Sequence, residues 1–468
     1  MTSERDVGIA ISGGGHRATV FGLGALLAVV DMDLNGQVTS ISSVSGGSIA
    51  NGIVMTGPDY GDVDAAGFED HIAPCLRAIA TRGILLGGAP ATAGYLRALV
   101  AAAIGAVIGL IGVPLFAIFD LWIGLFVSLI VAIALLAVVW WLFRQRSVAT
   151  ERAIDSELLG NDELTLAQVR NRSAGVHHVI CTTELQTGES FYFTNRVVYA
   201  YRFGSAAGGV DVPLAMAVQA SASVPGAFAP RVIPLTRLGV HPPTNRAGEQ
   251  DAGVSSIVVN DGGVYDNMAD QWEYGFAGRR ESWPELADVQ PDRGSYIIVV
   301  NGSGGWNDPN PIGGGGIAQE IAGLSRSQGV QYDVSTARRR QALFDRFTEN
   351  DAGEPDATRG AFVQITDSPY RLPQMFLTES MRARYPEPSA RAREAIDFLD
   401  AQGYEPDWWD DVARRTSGVA TTLAKLGEAC TAELLEHGYV LTMVNLYVLS
   451  GRGALLDIDR DRFRRLSA

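Results

Sequence analysis

The sequence predicts an α/β fold carrying a membrane-type helical insert. Three observations predict it. Two strand, glycine turn, helix units open the chain, apolar strand-like runs alternate with helical ones through much of the remainder, and residues 98–143 hold a single ionisable side chain, Asp120. In the first unit, residues 7–12 read as a short buried strand, Gly13-Gly14-Gly15-His16-Arg17 as the turn and 19–30 as a helix. The second repeats the pattern, with a β-like run over 38–44, a tight corner at Ser45-Gly46-Gly47 and a helix over 48–55. Further strands are expected at 178–182, 190–193, 255–260, 296–301 and 361–366. Helices are expected at 63–81, 212–222, 266–279, 317–347 and 390–401, with two more between 410 and 449. The stretches 83–94 and 147–160 read as joints between insert and body, so the insert interrupts one domain.

Composition limits the function. The chain has 468 residues, of which 37 are Lys or Arg and 52 Asp or Glu, giving a net charge of −15 that excludes a generic nucleic-acid binder. With 47% apolar and 19% charged residues it is folded rather than disordered. Cys75, Cys181 and Cys430 are odd in number and form no CxxC pair, which argues against a disulfide framework or a structural zinc site and for a reducing compartment. The opening MTSERDVGIAIS has no apolar run behind basic residues, so no secretory signal is expected and the body is expected in the cytosol.

The insert divides at Asp120 into uncharged runs of 22 and 23 residues. Each spans roughly 33 Å as a helix, against about 30 Å of hydrocarbon. A carboxylate at the bilayer centre would cost about 2.5–3.5 kcal/mol, so Asp120 belongs at the turn of an antiparallel pair. Arg97 precedes the pair and Arg144 and Arg146 follow it, which predicts that both outer ends face the cytoplasm; a buried core hairpin or a re-entrant loop is the alternative. Trp140 and Trp141 stand at headgroup level, and Gly105, Gly109 and Gly112 are spaced for close helix approach.

Three segments could carry chemistry. Ser45 sits between a strand and a helix, where a strained turn can lift a serine out of a sheet as a nucleophile. The Gly13–Gly15 amides at a helix N-terminus could cradle an anion or a developing oxyanion, with Arg17 fixing the loop. The same loop also fits G-x-G-x-x-A through Gly13, Gly15 and Ala18, with Asp31 or Asp33 available to a ribose, and it could equally be a plain turn. Asp261 ends an apolar run and is followed by Gly262-Gly263. No histidine lies in a diagnostic context, so Asp261 is the simplest base for Ser45.

Taken together, these segments resemble the patatin-like phospholipases. The glycine loop 13–17, the serine corner at Ser45 and Asp261-Gly262-Gly263 match that family's motifs in order, and 182–189 and 220–228 are similar to two further family segments. Ser12 and Ser43 depart from the pattern, where the family often has Asp and usually has Gly. The resemblance implies a three-layer sandwich with a central, mostly parallel sheet. It also implies a cofactor-free, metal-free acyl hydrolase in which Ser45 attacks a lipid ester, Asp261 takes its proton, and Gly13, Gly14, Gly15 and Arg17 form the oxyanion site. The expected organisation is a catalytic domain in two parts, 1–94 and 147–370, a transmembrane hairpin over 95–146 and a C-terminal helical region over 371–468. Membrane lipids are the expected substrate and the bilayer the expected partner of 97–146, in a cytoplasmic membrane with both termini inside. A catalytically silent membrane scaffold of the same fold, or a nucleotide-binding membrane enzyme, are the rival readings.

Overall fold

The computed structural model describes residues 6–85, 89–119, 121–160, 163–173, 175–207, 211–240, 254–274, 296–304 and 359–468, with scattered positions from 316 to 347. A ten-stranded sheet organises the body. Strands β1 (Val7–Ile11), β2 (Val38–Val44) and β3 (His177–Glu184) are buried along their whole length. Together with β9 (Tyr296–Asn301) and β10 (Arg359–Gln364) they form a parallel core in the order β10-β9-β1-β2-β3. β1 and β9 are continuous apolar runs, whereas β2 and β3 bury hydroxyls that bond neighbouring carbonyls, as Ser43 does with Val179 and Thr182 with Phe191. Beyond β3, an antiparallel wing continues through β4 (Glu189–Thr194), β5 (Val197–Ala200) and β6 (Gly204–Ala207). A second antiparallel arm, β7 (Arg231–Pro234) and β8 (Ser256–Asp261), joins β3 near its C-terminal end. The short strands β5, β6 and β7 were not expected from the sequence, being too brief for alternation to register.

Helices cover both faces. On one, α1 (Gly15–Asp31), α2 (Gly46–Thr56), α3 (Ala65–Thr81) and the C-terminal helix Glu428–Ser450 share the large apolar core. On the other, Met268, Ala269 and Trp272 pack with Ala10, Val44, Val179 and Val299. The result is three layers. The C-terminal helix is integral to the core, because a Cβ on Gly24 would meet the Leu435 carbonyl and one on Gly438 the Phe21 carbonyl, so α1 and this helix approach backbone to backbone.

The insert forms two helices, α4 (Pro90–Ile118) and α5 (Trp122–Arg144), both long and apolar enough to cross a membrane. Helix α4 starts earlier than expected, within the stretch read as a joint, since Pro90 is suited to the first helical turn and the residues after it continue the helix. Asp120 lies outside the described residues, between the two helix ends. The expected glycine seam is present: Gly105 faces Leu135, Gly109 faces Ala132 and Gly112 faces Ser128. Only 17% and 11% of the most apolar windows are buried, unlike a core hairpin. The second stretch read as a joint is also helical, as α6 (Arg146–Leu158), separated from α5 by Gln145 alone. Most of the expected helix over 317–347 lies outside the described residues.

Candidate active site

The fold brings Ser45 and Asp261 together through one strand. On β3, Cys181 pairs with Val44 of β2, and the next residue, Thr182, pairs with Asp261 of β8. Strand β2 runs parallel to β3 and β8 antiparallel, so the two arrive end to end along the same edge. Their terminal residues, 45 and 261, are thereby set side by side although more than two hundred positions apart in the chain.

Ser45 has φ 52° and ψ −118°, a conformation that a residue with a Cβ rarely adopts, between the end of β2 and the start of α2. The surroundings hold it there. Its N–H donates to Ser221 Oγ at 3.0 Å, and its carbonyl accepts from the Ser48 and Ile49 amides at 2.9 and 3.2 Å. Gly46 and Gly47 admit no side chain, because a Cβ on Gly46 would strike the Gly15 backbone and one on Gly47 the Ile11 and Ser12 carbonyls. The glycine loop and the serine corner therefore interlock, and the Gly47 amide seals them with a 3.1 Å bond to the Ser12 carbonyl. Ser43, the departure from the family pattern, sits comfortably: its hydroxyl donates to the Val179 carbonyl at 2.9 Å and accepts from Asn51 at 3.0 Å.

Asp261 is fixed by its backbone. Its N–H donates to the Ser223 carbonyl at 3.2 Å and its own carbonyl accepts from Thr183 Oγ1 at 2.9 Å. Oδ1 accepts from the Gly263 amide at 2.8 Å, while Oδ2 is buried without a fully formed hydrogen bond. Burial pushes the carboxyl up to about 6; the Gly263 amide and the Ser45 hydroxyl act in the opposite direction, by favouring the ionised form. Ser45 and Asp261 thus face each other at contact looser than a full hydrogen bond.

The glycine loop requires two corrections. The Gly13 amide, expected to donate to an oxyanion, is taken by Asn267, through its carbonyl at 3.0 Å and its Oδ1 at 3.2 Å. Arg17 is also committed elsewhere, donating to the carbonyls of Gly302 at 2.9 Å, of Ser417 at 3.4 Å and of Val419. It is a positioning residue that ties the loop to a distant segment of chain, which no local pattern reveals. The Gly14 and Gly15 amides have no acceptor in the hydrogen bonds among the described residues, and neither has Gly46, the first residue of α2. Gly14 and Gly15 turn at φ 142° and 61°, a region that favours glycine.

The dinucleotide reading of this loop fails on geometry. Asp31 closes the 17-residue α1, about 25 Å from the loop, and its carboxylate accepts from Tyr439 and pairs with Arg462. Asp33 lies beyond it, and Gly15 is covered by the Thr422 backbone. Among the described histidines, none bonds to Ser45 or Asp261. His16 is neutral, lowered to about 4 by burial, with Nδ1 against the Ala424 carbonyl at 2.9 Å. His71, His177, His178 and His437 have structural partners elsewhere, and His241 lies outside the described residues.

Sequence reasoning missed Ser221. Besides accepting from the Ser45 amide, its hydroxyl donates to the Cys181 carbonyl at 2.6 Å and lies 2.8 Å from Ser48 Oγ, linking Ser45, β3 and α2. Its place in the 220–228 segment was the available signal.

A family model of the patatin-like phospholipases matches residues 9–269, more than half of the chain, and the chain belongs to that family. No curated protein matches it in sequence. Among solved structures it is similar to human GIVD cytosolic phospholipase A2, at 14% identity and TM-score 0.37 over 64% of this chain and 46% of that one. The same human protein in complex with methyl gamma-linolenyl fluorophosphonate and terbium chloride matches at 12% identity and TM-score 0.43, covering 96% of this chain and 59% of that one. VipD from Legionella pneumophila matches at 13% identity and TM-score 0.28, covering 98% and 94%. The chain thus spans about half the length of the human protein.

Proposed function

We propose that this protein is a membrane-anchored lipid acyl hydrolase using a Ser45–Asp261 dyad. The observation that carries the reading is the end-to-end meeting of β2 and β8 on β3, which sets a strained serine against a desolvated carboxylate beside glycine amides that have no acceptor among the described residues. Ser45 Oγ attacks the ester carbonyl as Asp261 accepts its proton, and the proton then passes to the departing alcohol. Water, deprotonated by the same carboxylate, releases the acyl group from Ser45 and regenerates the hydroxyl. A free aspartate is a weak base; burial that raises Asp261 to about 6 makes it a better one while leaving it mostly ionised near pH 7. The Gly14 and Gly15 amides, with the N-terminus of α2, are the available donors to the oxyanion.

The hairpin supports a lipid substrate, because α4 and α5 expose apolar side chains over most of their surface, Ile108 at 64% and Ile123 at 83%. The basic residues at both feet, Arg97, Arg144 and Arg146, favour a hairpin whose ends lie on the cytoplasmic side. The test is hydrolysis of glycerophospholipid in vesicles by the full chain and by Ser45→Ala. The variant is expected to stay in the carbonate-washed membrane pellet and to lose turnover by at least a thousandfold; hydrolysis at the parental rate would end the reading.

A further inference from the structure

We propose that the rim of the Ser45–Asp261 site is a docking surface for the lipid bilayer, formed by Val224, Val264 and Tyr265. The inference rests on the hairpin being the membrane anchor and adds where the site stands relative to the lipid. Outside residues 90–144, the described residues expose eight large apolar side chains, and three are these; the others are Leu185, Tyr201, Val232, Val330 and Val334. Isolated exposed apolar residues are ordinary, but three gathered on the two turns that flank one carboxylate are not.

Their grouping follows from the backbone. Val264 and Tyr265, 53% and 38% exposed, belong to the turn that follows Asp261-Gly262-Gly263. Val224, 40% exposed, adjoins Ser223, whose carbonyl accepts the Asp261 N–H at 3.2 Å. Val232 pairs with Val258, and the Leu185 N–H donates to the Val258 carbonyl at 2.8 Å, so these two exposed side chains stand on the sheet face opposite to that of Asp261 and are not part of the rim. Val258 precedes Asp261 by three residues, about 10 Å along the strand.

The occupant is identified by what this rim is tied to. Arg146, at the foot of α5, donates through Nε to the Ala227 carbonyl at 2.9 Å, and Ser147 Oγ donates to the Ala229 carbonyl at 3.1 Å. Glu151 of α6 pairs with Arg231, beside Val232. The loop bearing Val224 and the strand bearing Val232 are therefore pinned to the hairpin's basic end. There Trp140 and Trp141 are 61% and 56% exposed and the Arg144 guanidinium stacks over Trp140 at 4.8 Å, chemistry suited to the headgroup layer. Once the hairpin fixes that depth, the rim meets the same layer. The net charge of −15 gives anionic headgroups no long-range attraction for the body, so apolar side chains are the means of holding the mouth of the site on the surface.

The experiment uses the full chain with Cys430→Ser, an environment-sensitive fluorophore on Val224→Cys, Val264→Cys or Tyr265→Cys, and Arg393→Cys on an exposed C-terminal helix as control. Each is reconstituted in phosphatidylcholine vesicles containing lipid brominated high on the acyl chain. The rim probes are expected to be quenched at least threefold more than the control, in protein that resists carbonate extraction. Rim probes no more quenched than the control, in protein that stays in the pellet, would overturn the docking surface alone. Loss from the pellet would overturn the anchor and the docking surface with it. Rim probes shielded from water yet unquenched by lipid would mean that protein covers the rim, and would also overturn the proposal.

Discussion

Two helices of equal length behave in opposite ways. Helix α5 and the C-terminal helix Glu428–Ser450 each have 23 residues, yet α5 buries only Ala132 whereas the C-terminal helix buries most of its length. The difference lies in polar addressing. The C-terminal helix carries side chains that find particular partners: Tyr439 donates to Asp31 at 2.7 Å, His437 bonds Thr416 and the Asp367 carbonyl at 2.9 Å each, and Asn445 donates to the Phe362 carbonyl at 2.9 Å. Helix α5 has no such groups and meets the body through its foot. A helix built for a protein core announces its neighbours in polar residues; α5 has small residues for its twin and apolar ones over most of its remaining surface.

The comparison is most easily broken at the glycines. Gly438→Leu should cost the body about 3 kcal/mol or more, because its Cβ would meet the Phe21 carbonyl and backbone cannot yield as a side chain does. A fall in the near-ultraviolet melting midpoint in detergent would register this, and an unchanged midpoint would mean that the close approach is not structural. Asp261→Asn should act in the opposite direction. With its folded pKa raised from 3.8 to about 6, the ionised carboxylate becomes a cost that grows as pH rises through that window and is present in full above it. The amide removes that cost, so the variant should lose activity and gain up to about 3 kcal/mol at pH 7.5, with little gain below pH 4. Denaturant titrations at both pH values would measure it.

The smallest effect belongs to the hairpin. Gly109→Leu places bulk against Ala132 and should loosen the helix pair by about 1–2 kcal/mol while leaving the body's midpoint unchanged. Limited proteolysis at the hairpin turn in detergent should then be faster. A parallel drop in body stability would show that the two regions are not independent.

What could be read from the chain follows the range of the interactions. The strands of the parallel core, the two glycine corners and the apolar pair were legible because each is encoded within a few residues. Asp261 could be named as a base but not located, since its position depends on β3 receiving Val44 and Asp261 at successive residues. The task of Gly13 was hidden for the same reason, and Arg17, expected to fix the loop, does so through partners that could not be named: Asn267 and the 417–419 carbonyls lie hundreds of positions away. Ser221 lies within a recognisable segment, but its bond to the Ser45 N–H is invisible in sequence.

The central claim is that Ser45 is made reactive by the carboxylate opposite it. Fluorophosphonate labelling of the full chain in vesicles from pH 5 to 8, with the adduct located by mass spectrometry, tests it directly. The adduct is expected on Ser45, with a rate that rises through about pH 6 and collapses in Asp261→Asn. An adduct on another residue, or Ser45 labelled equally fast without the carboxylate, would contradict the account.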